Sequence, residues 1–89
     1  MSYSIMIYNV GQEVAEEYQV ETNREVLDVL DTSLDFITSR VYKSDMWTTI
    51  WYESDSSTDM WGNELSYNKV ASETFHHPVF GNCVVVTEV

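Results

Sequence analysis

Residues 22–43 carry apolar side chains at the period of an α-helix, and this pattern constrains the fold more than any other feature of the chain. The apolar positions recur at intervals of three and four: Val26, Leu27, Leu30, Leu34, Ile37 and Val41. Thr22 and Glu25 form the pattern of a capping box, which predicts where the helix begins. Arg40 and Lys43 lie where cations favour the C-terminal end of the helix dipole. The sequence therefore predicts one long amphipathic helix that ends near these two cations.

Strand patterns flank this helix on both sides. Residues 3–10 are apolar on both faces, which is typical of a central strand. Residues 14–22 alternate, with Val14, Tyr18 and Val20 in the buried phase and an acidic outer face, although Glu16 interrupts that phase. Residues 45–53 and 79–89 are predicted as two further strands.

A second, shorter helix is predicted from a cap at Ser66 through Phe75, ended by His77 and Pro78. The resulting order is β-β-α-β-α-β. This order predicts an α+β fold, in which one long and one short helix lie on one face of a small, mostly antiparallel sheet. The length of 89 residues predicts a single domain over residues 1–89.

The charge of the chain narrows its partners. Fifteen Asp and Glu residues stand against four Lys and Arg, which gives a formal net charge of −11. A surface this acidic repels phosphate, so direct binding of nucleic acid or of an anionic membrane is not expected. Apolar residues at 44% and aromatic residues at 13% are too many for a disordered acidic tail. We therefore expect a folded protein whose partner is basic.

Candidate catalytic groups are few. Cys83 lies in an apolar strand pattern, where a thiol packs as a small apolar side chain and its pKa rises. Glu73, His76 and His77 have the i, i+3, i+4 spacing of metal ligands, which leaves a metal-dependent enzyme open as a third hypothesis. Solvated histidines at a helix end account for the same pattern. We expect no catalytic residue, no bound metal and no cofactor.

The predicted elements arrange part of the acidic charge into two stripes. Glu13, Glu17 and Glu21 share one face of the second predicted strand, which rises about 6.6–7 Å for every two residues. Asp28, Asp31 and Asp35 climb one side of the long helix in axial steps of about 4.5 and 6 Å. These intervals resemble the spacing of phosphates along a nucleic-acid strand. The stripes are therefore candidate partner-binding surfaces, and the alternative is an acidic surface that only keeps the protein in solution.

Tryptophan supplies a second candidate contact. Trp47 and Trp51 fall on one face of the predicted strand 45–53, and Trp61 follows in the next loop. In a small domain large rings mostly build the core, which predicts burial of two of the three. Exposed Trp and Tyr, in contrast, are preferred anchors of binding surfaces, so Trp47 and Trp51 are candidate partner-binding residues. An exposed aromatic strand is also a possible dimer seam, so a monomer and a homodimer both remain open.

The last third of the chain resembles a small domain of unknown function found in phages and mobile elements. The resemblance covers residues 60–71 and 77–86 and rests on Asn68-x-x-Ala71 followed by an apolar-x-Gly81-x-apolar strand. The family has no assigned catalytic residues, and Asn68 and Gly81 are interpreted as a helix cap and a strand glycine.

In charge and length the chain is also similar to the acidic inhibitors that phages direct against host defence nucleases, the anti-CRISPR and anti-restriction DNA mimics. This resemblance implies a phage protein in the host cytoplasm that blocks a basic nucleic-acid-binding channel without catalysis. The N-terminal residues carry neither a basic cluster nor a long apolar run, so no signal peptide or transmembrane helix is predicted. The alternative is a protein–protein adaptor or assembly factor of a phage or mobile element.

Overall fold

The first and last strands pair at the centre of the fold because both are apolar on both faces. The computed structural model of the chain describes residues 2–34, 39–59 and 61–89. Within them the helices and strands are β1 (Tyr3–Tyr8), β2 (Glu16–Val20), α1 (Asn23–Ser33), β3 (Arg40–Ser44), β4 (Thr48–Ser54), α2 (Lys69–Phe75) and β5 (Phe80–Glu88). The strands form one antiparallel sheet in the order β2-β1-β5-β4-β3. The predicted α+β fold with an antiparallel sheet is confirmed.

Each helix covers a different face of this sheet. On one face Val26, Leu30 and Leu34 pack against a buried cluster from the central strands, made of Ile5, Ile7 and Val84. On the other face Ala71 of α2 joins a second buried cluster, made of Ile50, Tyr52, Val79 and Cys83. The prediction that both helices lie on one face is wrong. Neighbours in β5 such as Cys83 and Val84 point to opposite sides and are both buried, so the sheet needs cover on both faces.

Helix α1 begins where the capping box predicts but ends well before the predicted point. Thr22 Oγ1 accepts a hydrogen bond of 3.2 Å from the backbone N–H of Glu25. The helix ends at Ser33, and Leu34 is already extended, with φ −125° and ψ 153°. Val41, predicted on the helix, lies in β3 opposite Trp51. Pairing of this segment with β4 outweighs the helical period of its sequence. Ile37, also predicted on the helix, lies outside the described residues.

Strand β2 is shorter than predicted, and its register places Glu16 on the α1 face. Glu16, Tyr18 and Val20 stand opposite Ile7, Ile5 and Tyr3 of β1, whose side chains all pack on the α1 side. Val14, predicted to be buried, precedes the strand and is 77% exposed. The chain leaves β1 through a turn in which Gln12 N–H donates to Asn9 O at 3.2 Å, so strand pairing resumes only at Glu16.

Two asparagines hold the helices to the sheet. Asn68, not Ser66, is the N-cap of α2: its side chain accepts from Ala71 N–H at 3.2 Å. Its Nδ2 donates to the backbone oxygens of Tyr8 and Gly81 at 2.8 and 2.9 Å. Gly81 has φ +78°, and a Cβ there would collide with the Glu53 carboxylate. The interpretation of Asn68 and Gly81 as a cap and a strand glycine is confirmed.

The second asparagine, Asn82, fixes the end of α1. Its Nδ2 donates to Ser33 O at 2.9 Å, and its Oδ1 accepts from Val10 N–H at 3.0 Å. The C-terminal end of α1 is therefore tied to β5 and to the start of the β1–β2 connection. In the part of the chain that the structure describes, neither helix has the length and apolar character needed to cross a membrane.

Candidate interaction surface

Helix α1 lies over the middle of the sheet and leaves a groove on each side. One row of opposed residues crosses the sheet from edge to edge: Glu16, Ile7, Val84, Trp51 and Val41. The helix covers the middle of this row. The carboxylate of Glu16 therefore remains at one end, and the apolar side chains of Trp51 and Val41 remain at the other. We call the groove beside β2 the acidic groove and the groove beside β4 the aromatic groove.

The acidic groove has a volume of about 300 Å³ and carries a carboxylate on each wall. Glu16 and Tyr18 line it from β2, and Asp28 and Val29 line it from α1. Asn9 Nδ2 donates to Glu16 Oε2 at 3.3 Å, and the Tyr18 hydroxyl donates to the same oxygen at 3.5 Å. Both partners are neutral, so they orient the carboxylate without neutralising its charge.

Acidic side chains continue beyond this groove over the whole segment that forms β2 and α1. Residues 13–31 contain seven carboxylates and one cation, Arg24, and all seven carboxylates are exposed. We call these seven residues the acidic surface: Glu13, Glu16, Glu17, Glu21, Glu25, Asp28 and Asp31. The potential around this segment is therefore negative, which attracts a basic partner and repels phosphate.

The two predicted stripes are only partly present. Glu17 alone of the first stripe lies in β2, where it stands opposite Met6. Glu13 lies in the β1–β2 connection and Glu21 in the β2–α1 connection, so the prediction that the three share a strand face is wrong. The strand is too short to include them because β2 pairs with β1 over only five residues.

The predicted stripe on the helix is present at two of its three residues. Asp28 and Asp31 are both exposed on α1, three residues apart, whereas Asp35 lies outside the described residues. Glu16 was not among the predicted partner-binding residues, because its carboxylate interrupts the buried phase of the predicted strand. The sequence does contain a signal for Glu16. It is two residues before Tyr18 and four before Val20, and alternate residues of a strand face the same side.

The aromatic groove has a volume of about 270 Å³ and brings together both predicted tryptophans. Trp51 lies on β4, faces α1 and is partly buried. Trp47 lies in the β3–β4 turn and is 59% exposed, and Leu27 of α1 and Met46 complete the apolar lining with 53% and 79% exposure. The prediction that Trp47 lies on the strand is therefore wrong. Trp47 nevertheless lines the same groove as Trp51.

A carboxylate at the turn sets the position of Trp47. Asp45 Oδ1 accepts from the backbone N–H groups of Trp47 and Thr48, at 2.9 and 2.8 Å. These hydrogen bonds, first that of Trp47 and then that of Thr48, hold the pKa of Asp45 below its usual value. The turn thus presents Trp47 from a backbone that is held by local hydrogen bonds.

The prediction that two of the three tryptophans are buried is wrong. Trp61 is 65% exposed on the loop after β4, where Asp59 Oδ1 accepts from its backbone N–H at 2.9 Å, and it lines neither groove. Aliphatic side chains and Tyr52 fill the two buried clusters, so the rings of Trp47 and Trp61 remain outside them.

The residues considered for catalysis lie in different environments. Cys83 is fully buried, and burial raises the pKa of its thiol to about 12, so it stays protonated at neutral pH. Glu73 is exposed on α2, His76 is its left-handed C-cap, and His77 stacks on Tyr42 with ring centroids 4.7 Å apart. Among residues 2–34, 39–59 and 61–89, no three His, Cys, Asp or Glu side chains are grouped so that they could hold a metal ion.

Comparison of the chain with protein-family models, with curated protein sequences and with solved structures finds no match. We therefore infer the function from the two grooves and the charge around them.

Proposed function

We propose that this protein is a non-catalytic, phage-encoded inhibitor of a host defence nuclease, either a CRISPR effector or a restriction enzyme. It binds the basic channel through which that nuclease holds nucleic acid. The observation that carries the proposal is the acidic surface, where one continuous segment exposes seven carboxylates against one cation. Its resemblance in charge and length to phage DNA mimics supplies the biological setting.

Electrostatics explains why such a surface favours binding over simple solubility. Like charges on a small fold repel one another and destabilise the compact state, so a net charge of −11 costs stability. Solubility is already obtained with a net charge of about 2–8 in a small domain. A partner that is densely basic turns this self-repulsion into attraction, and the long range of the field accelerates association.

The acidic groove offers the most specific contact within this surface. Glu16 of β2 and Asp28 of α1 line the same groove, and Tyr18 lines it as well. A Lys or Arg side chain from the nucleic-acid channel would meet two carboxylates and an aromatic face there, which combines charge-assisted hydrogen bonds with a cation–π contact. Mimicry of nucleic acid would depend on charge density and on this groove. The predicted stripe of Glu13, Glu17 and Glu21 at phosphate spacing is not formed.

The test is affinity purification of the protein from infected host cells, followed by a competition assay with the recovered partner. We expect the partner to bind nucleic acid and to lose that binding when the protein is added. We also expect the affinity to fall at least about tenfold between about 0.05 and about 0.3 M NaCl, because salt screens exposed charges. A partner that binds nucleic acid equally well in the presence of the protein, or an affinity that is independent of salt, contradicts the proposal.

An adaptor is the second candidate function, and the aromatic groove is the observation that favours it. Trp47, Leu27 and Met46 expose more than half of their surface on one side of the molecule. Exposed large apolar side chains that line one groove are typical of protein-binding sites. An adaptor would keep its partner when the acidic surface is neutralised, whereas the inhibitor would not.

A further inference from the structure

We infer that the aromatic groove is a docking site for an amphipathic helix of a partner protein, with apolar side chains on its buried face and Lys or Arg on its flanks. This inference concerns a different surface from the acidic one and does not depend on the inhibitor proposal. Three features of the groove favour this occupant: the backbone around it, the charge of its lining and its size.

The backbone around the groove selects a helix over an extended peptide. The groove lies on a sheet face, where Trp51 and Thr49 belong to a strand paired on both sides, with β5 and with β3. Its backbone groups are therefore committed to the sheet, and an extended peptide laid over this face would leave its own N–H and C=O groups unpaired. A helix satisfies its backbone internally and presents only side chains, as in helix-in-groove recognition.

The charge around the groove selects a basic occupant and disfavours a second copy of the chain. Among the described residues that line the groove, Asp45 and Glu88 are the charged ones, and none is Lys or Arg. Lys or Arg on the flanks of a docked helix would lie close to these two carboxylates. A second copy would bring another net charge of −11 to the same place, which long-range repulsion opposes.

The size of the groove sets the number of anchors. A volume of about 270 Å³ is below the usual range for a site that encloses a drug-sized molecule, which is about 300–1,000 Å³. It suits a few large apolar side chains that enter between Leu27 and Trp47, while the rest of the helix stays outside. Residues spaced three and four apart on one helix present such a set.

The experiment uses a model peptide as the probe, because the natural partner is not identified. The peptide is an amphipathic Leu/Lys helix of about 18 residues. The controls are a scrambled peptide of the same composition and a Leu/Glu peptide of the same pattern. Binding to the full chain is followed by backbone and Trp indole NMR shifts at about 0.3 M NaCl, where exposed charges are screened.

We expect the Leu/Lys helix to shift the signals of Leu27, Met46 and Trp47, and both control peptides to bind at least about tenfold more weakly. Trp47→Ala should weaken binding at least about tenfold, whereas Trp61→Ala, which removes an equally exposed ring outside the groove, should leave it unchanged. Leu27→Glu provides a second variant at another exposed position, in case Trp47→Ala disturbs the turn.

Three results would overturn the inference. The first is equal binding by the Trp47→Ala and Trp61→Ala variants. The second is a set of shifts centred on Glu16 and Asp28, which would mean that the peptide binds the acidic surface alone. The third is a dimer of the free protein, by light scattering, in which Trp47 is already buried by a second copy.

Discussion

The acidic groove and the aromatic groove share one helix and one sheet face, yet their linings differ. Carboxylates stand out in the first and large apolar side chains in the second. The row of opposed residues that runs beneath α1 ends in Glu16 on the β2 side and in Trp51 and Val41 on the β4 side. Binding proposed at the acidic groove would act through charge, which reaches far and is weakened by salt. Binding proposed at the aromatic groove would act through apolar burial, which works only at contact and is little affected by moderate salt.

The comparison shows that one short helix can separate two grooves of different chemistry on a small sheet. Helix α1 is too narrow to cover five strands, so it buries the central ones and leaves both margins open. The charge of each margin then follows from its local sequence. Glu residues crowd the segment around β2, whereas the segment from β3 to β4 carries Val41, Met46, Trp47 and Trp51.

The shared helix gives the largest expected effect. Leu30→Ala removes a side chain that is 3% exposed beneath α1, and we expect the free energy of unfolding to fall by about 2–5 kcal/mol. Binding at both grooves should weaken together, because helix α1 forms one wall of each groove. Urea unfolding measures the change, and Leu27→Ala is the matched control, since Leu27 is 53% exposed and should cost at most about 0.5 kcal/mol. Equal losses in the two variants would contradict the packing described for α1.

Charge reversal separates the two grooves. Asp28→Lys combined with Asp31→Lys should weaken binding of the proposed nuclease partner about a hundredfold, because each change replaces an attraction with a repulsion. Calorimetry on the purified partner is the measurement. Glu64→Lys combined with Glu73→Lys makes the same change in net charge outside the acidic surface and should have a much smaller effect. If both double variants lose affinity equally, net charge alone governs binding and the acidic groove has no special part in it.

The ring of Tyr18 tests the acidic groove more finely. Tyr18→Ala should weaken the same binding about threefold, as expected for loss of one exposed cation–π contact of about 0.5–1 kcal/mol. Tyr67→Ala is the control, because Tyr67 is similarly exposed, 54% against 47%, and lies outside this groove. Binding of a Leu/Lys helix in the aromatic groove should not respond to either variant. Equal affinity of the nuclease partner for the Tyr18→Ala variant and the unchanged protein would remove Tyr18 from the site.

The smallest expected effect is a pH dependence at the aromatic groove. The hydrogen bonds from Trp47 and Thr48 hold the pKa of Asp45 below its usual value of 3.8. A carboxylate with a lowered pKa stabilises the fold at neutral pH, and this contribution is lost as the pH falls through the folded pKa. NMR titration should therefore give an Asp45 midpoint below 3.8 and a matching change at the Trp47 amide. Asp45→Asn should abolish that change at Trp47, and a midpoint at or above 3.8 would show that the turn does not hold the carboxylate as described.

Features set by near neighbours in the chain were predictable. The capping box of Thr22 and Glu25 placed the start of α1 correctly, because a cap is a contact between residues three apart. Asn68 and Gly81 were recognised as a cap and a strand glycine, although the partners of Asn68 in β1 and β5 were not foreseeable from local pattern. The acidic character of residues 13–31 was visible in the composition, but the groove between Glu16 and Asp28 was not.

What the sequence determined by itself was the kind of protein: an α+β fold with an antiparallel sheet, a helix that begins at Thr22 and an excess of negative charge. These follow from side-chain periodicity, local hydrogen bonding and ionisation, which act between neighbours in the chain or need no partner at all. Only the tertiary structure decided where α1 ends, which face Glu16 takes and how far Trp47 is exposed. Each of these depends on strand pairing or packing between segments far apart in sequence, and there pairing with a distant strand outweighs the local helical or strand period.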